Sequence, residues 1–222
     1  MILGSIYVTA GAIIIGVPIG VLSAIYLAKF CPKGIYKIIK PGVELLAGIP
    51  SVVYGFFGLV VLVPFIREHF KNSNGQSILC ASILLGIMIL PTIIGASEPT
   101  IRAVEQSYYE GALALGATHE RSVFTVVVPA AKSGILSAVL LGLGRAVGET
   151  MAVIMVAGNV AQMPKLLEPV RFLTTAIVTE MAYASEETSG VLMGIGLVLF
   201  VFIVVINGLF YALIKRTAAG KR

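Results

Sequence analysis

Five stretches of the chain are predominantly apolar over a length that crosses a bilayer, at approximately residues 2–28, 43–66, 78–96, 134–158 and 190–214. About 20 helical residues cover the hydrocarbon core. Backbone polar groups at that depth must be paired within their own segment, so the pattern predicts helices rather than open strands. Between the third and fourth stretches lies the longest polar run, residues 97–133, which is rich in alanine and has Pro99 and Pro129 near its ends. The expectation is an all-α polytopic membrane protein, one domain over residues 1–222, with a structured polar loop at 97–133. A further apolar run, TTAIVTEMAYA at residues 174–184, is too short to span and is expected to lie as a re-entrant or interfacial segment.

Small residues recur four apart in three of these stretches: Gly16 with Gly20, Gly144 with Gly148, and Gly190 with Gly194. Such pairs let helix backbones approach closely in lipid. Pro50, Pro64 and Pro91 are expected to kink or end their helices.

Composition agrees with a lipid solvent. Hydrophobic residues make up 58% of the chain and charged residues 12%, with no Asp and no Trp; a soluble domain carries about 25% charged residues. The net charge of +5 is read by location, as membrane topology rather than nucleic-acid binding. Eleven basic residues lie in alternate connections: Lys29, Lys33, Lys37 and Lys40, then Arg102, Arg121 and Lys132, then Lys215, Arg216, Lys221 and Arg222. The opposite connections hold four: Arg67, Lys71, Lys165 and Arg171. The positive-inside rule places the first set, and with it the polar loop, in the cytoplasm. The N-terminus is then outside, and an earlier helix preceding Met1 is expected. Cys31 and Cys80 fall near opposite faces, beyond disulfide reach.

Arg145 is the remaining basic residue, near the middle of its span. Arg at the bilayer centre costs about 2.5–3.5 kcal/mol to insert, and an intramembrane charge is by default a pathway residue. Glu149 follows four positions later, and the helical spacing predicts that the two pair. An internal salt bridge of purely structural value is the rival reading. The guanidinium fork suits an oxyanion with two accessible oxygens, phosphate above all. His69 and His119 have no companions with metal-ligand spacing and are expected to be solvated loop residues. Ser97 lacks a nucleophile's flanking glycine and base. No GxxxxGK[ST] occurs, so the chain does not bind ATP through a P-loop.

In the polar loop, Glu110, Gly111 and Ala112 are followed by Gly116, then Val126, Val128 and Pro129. This resembles the EAA motif of ABC-importer permeases, with conservative departures at Gly111, Val126 and Val128. GIPSVVYG at residues 48–55 and GRAVGETMAV at 144–153 resemble the phosphate-specific permeases of the PstC type, and the likeness runs along essentially the whole chain. The resemblance implies the type I ABC-importer transmembrane fold and a transport subunit without enzymatic activity. It implies that Glu110, Gly111, Ala112 and Gly116 belong to a cytoplasmic helix docking on an ATPase. It also implies a second permease of the PstA type, a PstB-type ATPase dimer that carries ATP and Mg, and an external phosphate-binding protein. No cofactor or metal is expected on this chain. Import of another oxyanion, such as molybdate or sulfate, is the alternative; a motor-free carrier or channel is more remote.

Overall fold

The computed structural model describes residues 1–70 and 73–219, all helices and connections apart from one isolated β-bridge. The first span is α1 (Ile2–Ile25), prolonged by a π turn to Phe30. It stops where Cys31 and Pro32 turn extended, the conformation a residue before proline is pushed towards. Helix α2 (Lys33–Gly48) follows, and Ile49 before Pro50 is extended in the same way, with ψ 127°.

This second break corrects the expected span at 43–66. Residues from Val43 to Gly48 belong to α2, and the spanning helix begins only at Ser51. It runs through α3 (Ser51–Phe57), a π turn and α4 (Val63–His69).

Helix α5 (Ile78–Arg102) is longer than its apolar run, so the first six residues of the supposed loop are its last turns. Ser77 opens it, its hydroxyl accepting the Cys80 N–H at 3.2 Å. The polar loop then folds as α6 (Gln106–Ala114) and α7 (His119–Ser122), a π turn, and α8 (Val128–Ala130). A bend of 70° separates that stretch from α9 (Lys132–Gly148). The fourth apolar run is interrupted as well. Glu149 turns extended with ψ 128°, and the chain resumes as α10 (Met151–Val156). Of the run at residues 174–184, α11 (Leu173–Met181) takes up most. α12 (Glu186–Ala219) completes the described chain. Among the described residues, four helices are long and apolar enough to cross a membrane, or five with the bent pair as one.

The centre of the fold is α5, buried along most of its length between α1 and α9. Glycines permit this approach. A Cβ on Gly16 would stand 2.7 Å from Ile89, and one on Gly20 2.9 Å from Ile93. On the other flank a Cβ on Gly142 would meet Ile93 at 2.8 Å. Gly16 faces Ile89 and Gly20 faces Ile93, so α1 and α5 run parallel, as two spans separated by one other should. A Cβ on any of the expected pairs Gly144/Gly148 and Gly190/Gly194 would meet nothing within 4 Å among the described residues. In α12 only 6% of the apolar window is buried, so its surface is left for lipid or another subunit.

Candidate functional site

Arg145 lies on the last turn of α9, half-buried, and its Nη1 donates to Thr92 Oγ1 on α5 at 3.2 Å. The expected Arg145–Glu149 pair does not form. Because α9 ends at Gly148 and Glu149 is extended, four residues no longer bring the two onto one helical face. The Glu149 carboxylate instead accepts the Ala152 N–H at 3.1 Å, satisfying a free donor in the first turn of α10. Arg145 has no carboxylate partner among the described residues. Gly144 and Gly148, one residue before it and three after it, meet no atoms within 4 Å of an added Cβ. The guanidinium thus projects from a stretch of α9 whose small residues are exposed and carry no close packing.

The polar loop presents α6. Its inner edge is Tyr109, whose hydroxyl lies 2.7 Å from His119 Nδ1, with the His119 ring 4.7 Å from that of Phe30. His119 is therefore not the solvated loop residue its context implied; it ties α6 to the end of α1 and the start of α7. Lys29 adds a cationic contact 5.9 Å from the Tyr109 ring. The outer side carries exposed Tyr108, Glu110 and Gly111, with Leu115 91% exposed. Ala112 is half-buried.

Gly116 has a role that spacing alone does not reveal. It adopts φ +83°, with its N–H on the Leu113 carbonyl and the Ala117 N–H on that of Ala112. This is a Schellman stop, in which a left-handed residue, usually glycine, closes the helix. Glu110, by contrast, only accepts a hydrogen bond from Gln106 at 2.7 Å and is free to meet another molecule. The structure thus brings Glu110, Gly111, Ala112 and Gly116 together on one short helix and its terminus, and keeps them apart from Arg145 and Glu149.

A third cluster was not anticipated. Glu98, 2% exposed near the end of α5, receives the Lys40 ammonium at 2.8 Å and the Tyr36 hydroxyl at 3.1 Å, both from α2, as well as Arg102 Nε one turn on. Arg102 also donates to the Leu27 carbonyl at 2.8 Å and lies over the Tyr36 ring. Glu98 and Arg102 together tie the end of the first span and the first half of α2 to the end of α5, which only Ala103–Glu105 separate from α6. The Glu98/Arg102 spacing of four was a visible signal; the contribution from α2 was not.

Comparison with known proteins places this arrangement. The chain is 42% identical to the probable ABC transporter permease protein YqgH of Bacillus subtilis, over all of this chain and 71% of that one. It is 34% identical to the phosphate transport system permease protein PstC of Pasteurella multocida, over 97% of this chain and 73% of the relative. The PstC of Haemophilus influenzae is 36% identical over 90% and 70%. Among solved structures, the MetNI methionine ABC transporter superposes with a TM-score of 0.70 at 19% identity, covering 97% of this chain and 91% of that one. An amino acid ABC transporter gives 0.65 at 20% identity, with the same coverage. These share the fold, the transmembrane fold of ABC importers. The model of the binding-protein-dependent transport system inner membrane component matches residues 16–219. The chain therefore belongs to this family of multi-pass inner-membrane permeases, as the permease component and not the ATPase.

Proposed function

We propose that the chain is the PstC-like permease subunit of an importer for inorganic phosphate, working with a PstA-like permease, a PstB-like ATPase dimer that binds ATP and Mg, and an extracytoplasmic phosphate-binding protein. Family membership already implies an ATPase and a binding protein; the phosphate reading goes further. It rests on Arg145, a guanidinium without a carboxylate partner among the described residues, held by one hydroxyl on a stretch of α9 whose glycines, Gly144 and Gly148, are exposed. A fork of this kind engages two phosphate oxygens at once. A single neutral anchor, Thr92, leaves the cation free to take an anion and to release it, as conduction requires. The PstC relatives at 34–36% identity support the same substrate. The test is uptake of labelled phosphate into vesicles holding the complete complex. Unlabelled phosphate should compete fully, with sulfate and molybdate at equal concentration competing weakly. Equal or stronger competition by sulfate or molybdate replaces phosphate with that oxyanion; uptake unaffected by ATP depletion removes the motor.

In this reading α6 docks on the ATPase through Tyr108, Glu110, Gly111 and Leu115, while Gly116 sets where the helix ends. The left-handed conformation disfavours a Cβ by about 1–2 kcal/mol, and short polar Asn tolerates it best. Gly116→Val should therefore weaken copurification of the ATPase and lower uptake severalfold, and Gly116→Asn should keep most of both. Equal loss in both variants would mean that the side chain collides with the ATPase surface and that the helix stop is not the reason for glycine.

A further inference from the structure

Helix α2 divides its residues sharply. At helical spacing, Lys33, Tyr36, Lys37, Lys40 and Glu44 fall on one arc, and Ile35, Ile38, Ile39, Leu45 and Leu46 on the other. The apolar arc is bare: Ile38 is 77% exposed, Leu45 74% and Ile35 46%. Its surroundings indicate what covers it. Ile39 and Val43 line an apolar crevice of about 390 Å³ together with Leu22 and Tyr26 of α1 and Ile94 of α5. Leu22 and Tyr26 are themselves exposed on the outer face of a membrane span, at 57% and 43%. The apolar face of α2 therefore continues the exposed apolar surface of the first membrane span.

The helix also descends. Tyr36 and Lys40 meet Glu98, while Ile39 and Val43 share a crevice with Ile94, one turn earlier on α5 and so farther from its polar end. Its first two turns carry the lysines and its last turns Val43, Leu45 and Leu46, with Glu44 the one charge there and on the polar arc, so polarity falls along the helix. Of the three lysines, Lys40 is taken by Glu98. Lys33 and Lys37 are exposed and have no ion pair among the described residues.

We propose that α2 is an anionic-phospholipid contact. Its apolar face is immersed among acyl chains of the leaflet at the lysine-rich end of the spans, and Lys33 and Lys37 engage the phosphates of acidic headgroups. Amphipathic helices with basic polar faces bind interfaces in this way, and each added lysine near an anionic surface strengthens the attraction. Because Glu98 joins α2 to the end of α5, just ahead of α6, headgroup binding would steady the helix that leads into the docking element.

The complete transporter, reconstituted in nanodiscs of phosphatidylcholine with a minority of phosphatidylglycerol, provides the test. In a Cys31→Ser background, Ile38→Cys and Leu45→Cys each carry a nitroxide at an exposed position. Both nitroxides should collide readily with oxygen and poorly with a water-soluble nickel chelate. Low collision with both reagents would mean that another subunit covers the face, and high collision with the chelate that it faces water; either overturns the proposal. In parallel, Lys33→Gln/Lys37→Gln should lower the phosphatidylglycerol retained on the purified complex, relative to phosphatidylcholine, by roughly tenfold or more. Unchanged retention overturns the headgroup assignment.

Discussion

Arg145→Ala abolishes phosphate uptake while the permease still folds and assembles; this is the expected result for a side chain that serves the pathway. Its side-chain hydrogen bond is the one to Thr92. Losing one hydrogen bond from a charged donor costs about 1.5–3 kcal/mol at most, and less for a half-exposed group. No buried carboxylate is left behind, because Glu149 is occupied with the Ala152 N–H. Assembly, measured as copurification of the ATPase, should hold, and thermal unfolding should shift little. Arg145→Lys sharpens the test. It keeps the charge but loses the planar fork, so uptake should remain at least tenfold below wild type if two-oxygen recognition matters. Glu149→Gln retains an oxygen to cap α10 and should spare the fold. Normal uptake by the Arg145→Ala variant would sink the pathway assignment and leave Arg145 as a helix-packing residue.

Much of this was legible from local chemistry. Apolar run length located α1 and α5, because those helices must bury or expose apolar surface along their whole length. Pro32 and Pro50 were signals for the breaks that bound α2, since each forces the preceding residue out of the helical region. Pro50 announced the second of them, but hydropathy from Val43 onward continues across it, so the expected span at 43–66 was drawn through the break. The Arg145–Glu149 expectation failed for a related reason. Spacing of four has meaning only inside an uninterrupted helix, and nothing in GRAVGET announces the extended residue at Glu149.

Gly116 was recognisable as part of a motif, but its left-handed φ explains the glycine in terms of the backbone alone. The Glu98 cluster was half visible. Arg102 lies one turn away on α5, whereas Lys40 and Tyr36 come from 58 and 62 residues upstream and meet Glu98 only because α2 folds back against α5.

That cluster carries the largest stability effect expected in the molecule. Lys40 has an 18% exposed side chain and Arg102 a 45% exposed one, and both converge on a carboxylate that is 2% exposed. Removing one partner of a buried ion pair typically costs about 3–5 kcal/mol, because the remaining charge stays buried without compensation. Glu98→Ala leaves Lys40 in that condition; its contact with Glu44, at 3.9 Å on an exposed carboxylate, replaces little. The unfolding midpoint of the purified permease should fall by about 10 °C. Lys40→Ala alone should cost less, since Arg102 and Tyr36 still satisfy Glu98. The double variant Glu98→Ala/Lys40→Ala should be more stable than Glu98→Ala, because it removes the stranded ammonium. A double variant that is simply the sum of the two singles would show that the pair is uncoupled and that water already solvates Lys40. Function should follow the same order. With α2 released from the end of α5, ATP hydrolysis by the assembled complex should persist while phosphate uptake per ATP falls, and Glu98→Gln, which keeps an acceptor for the Tyr36 hydroxyl and Lys40, should lie between wild type and Glu98→Ala.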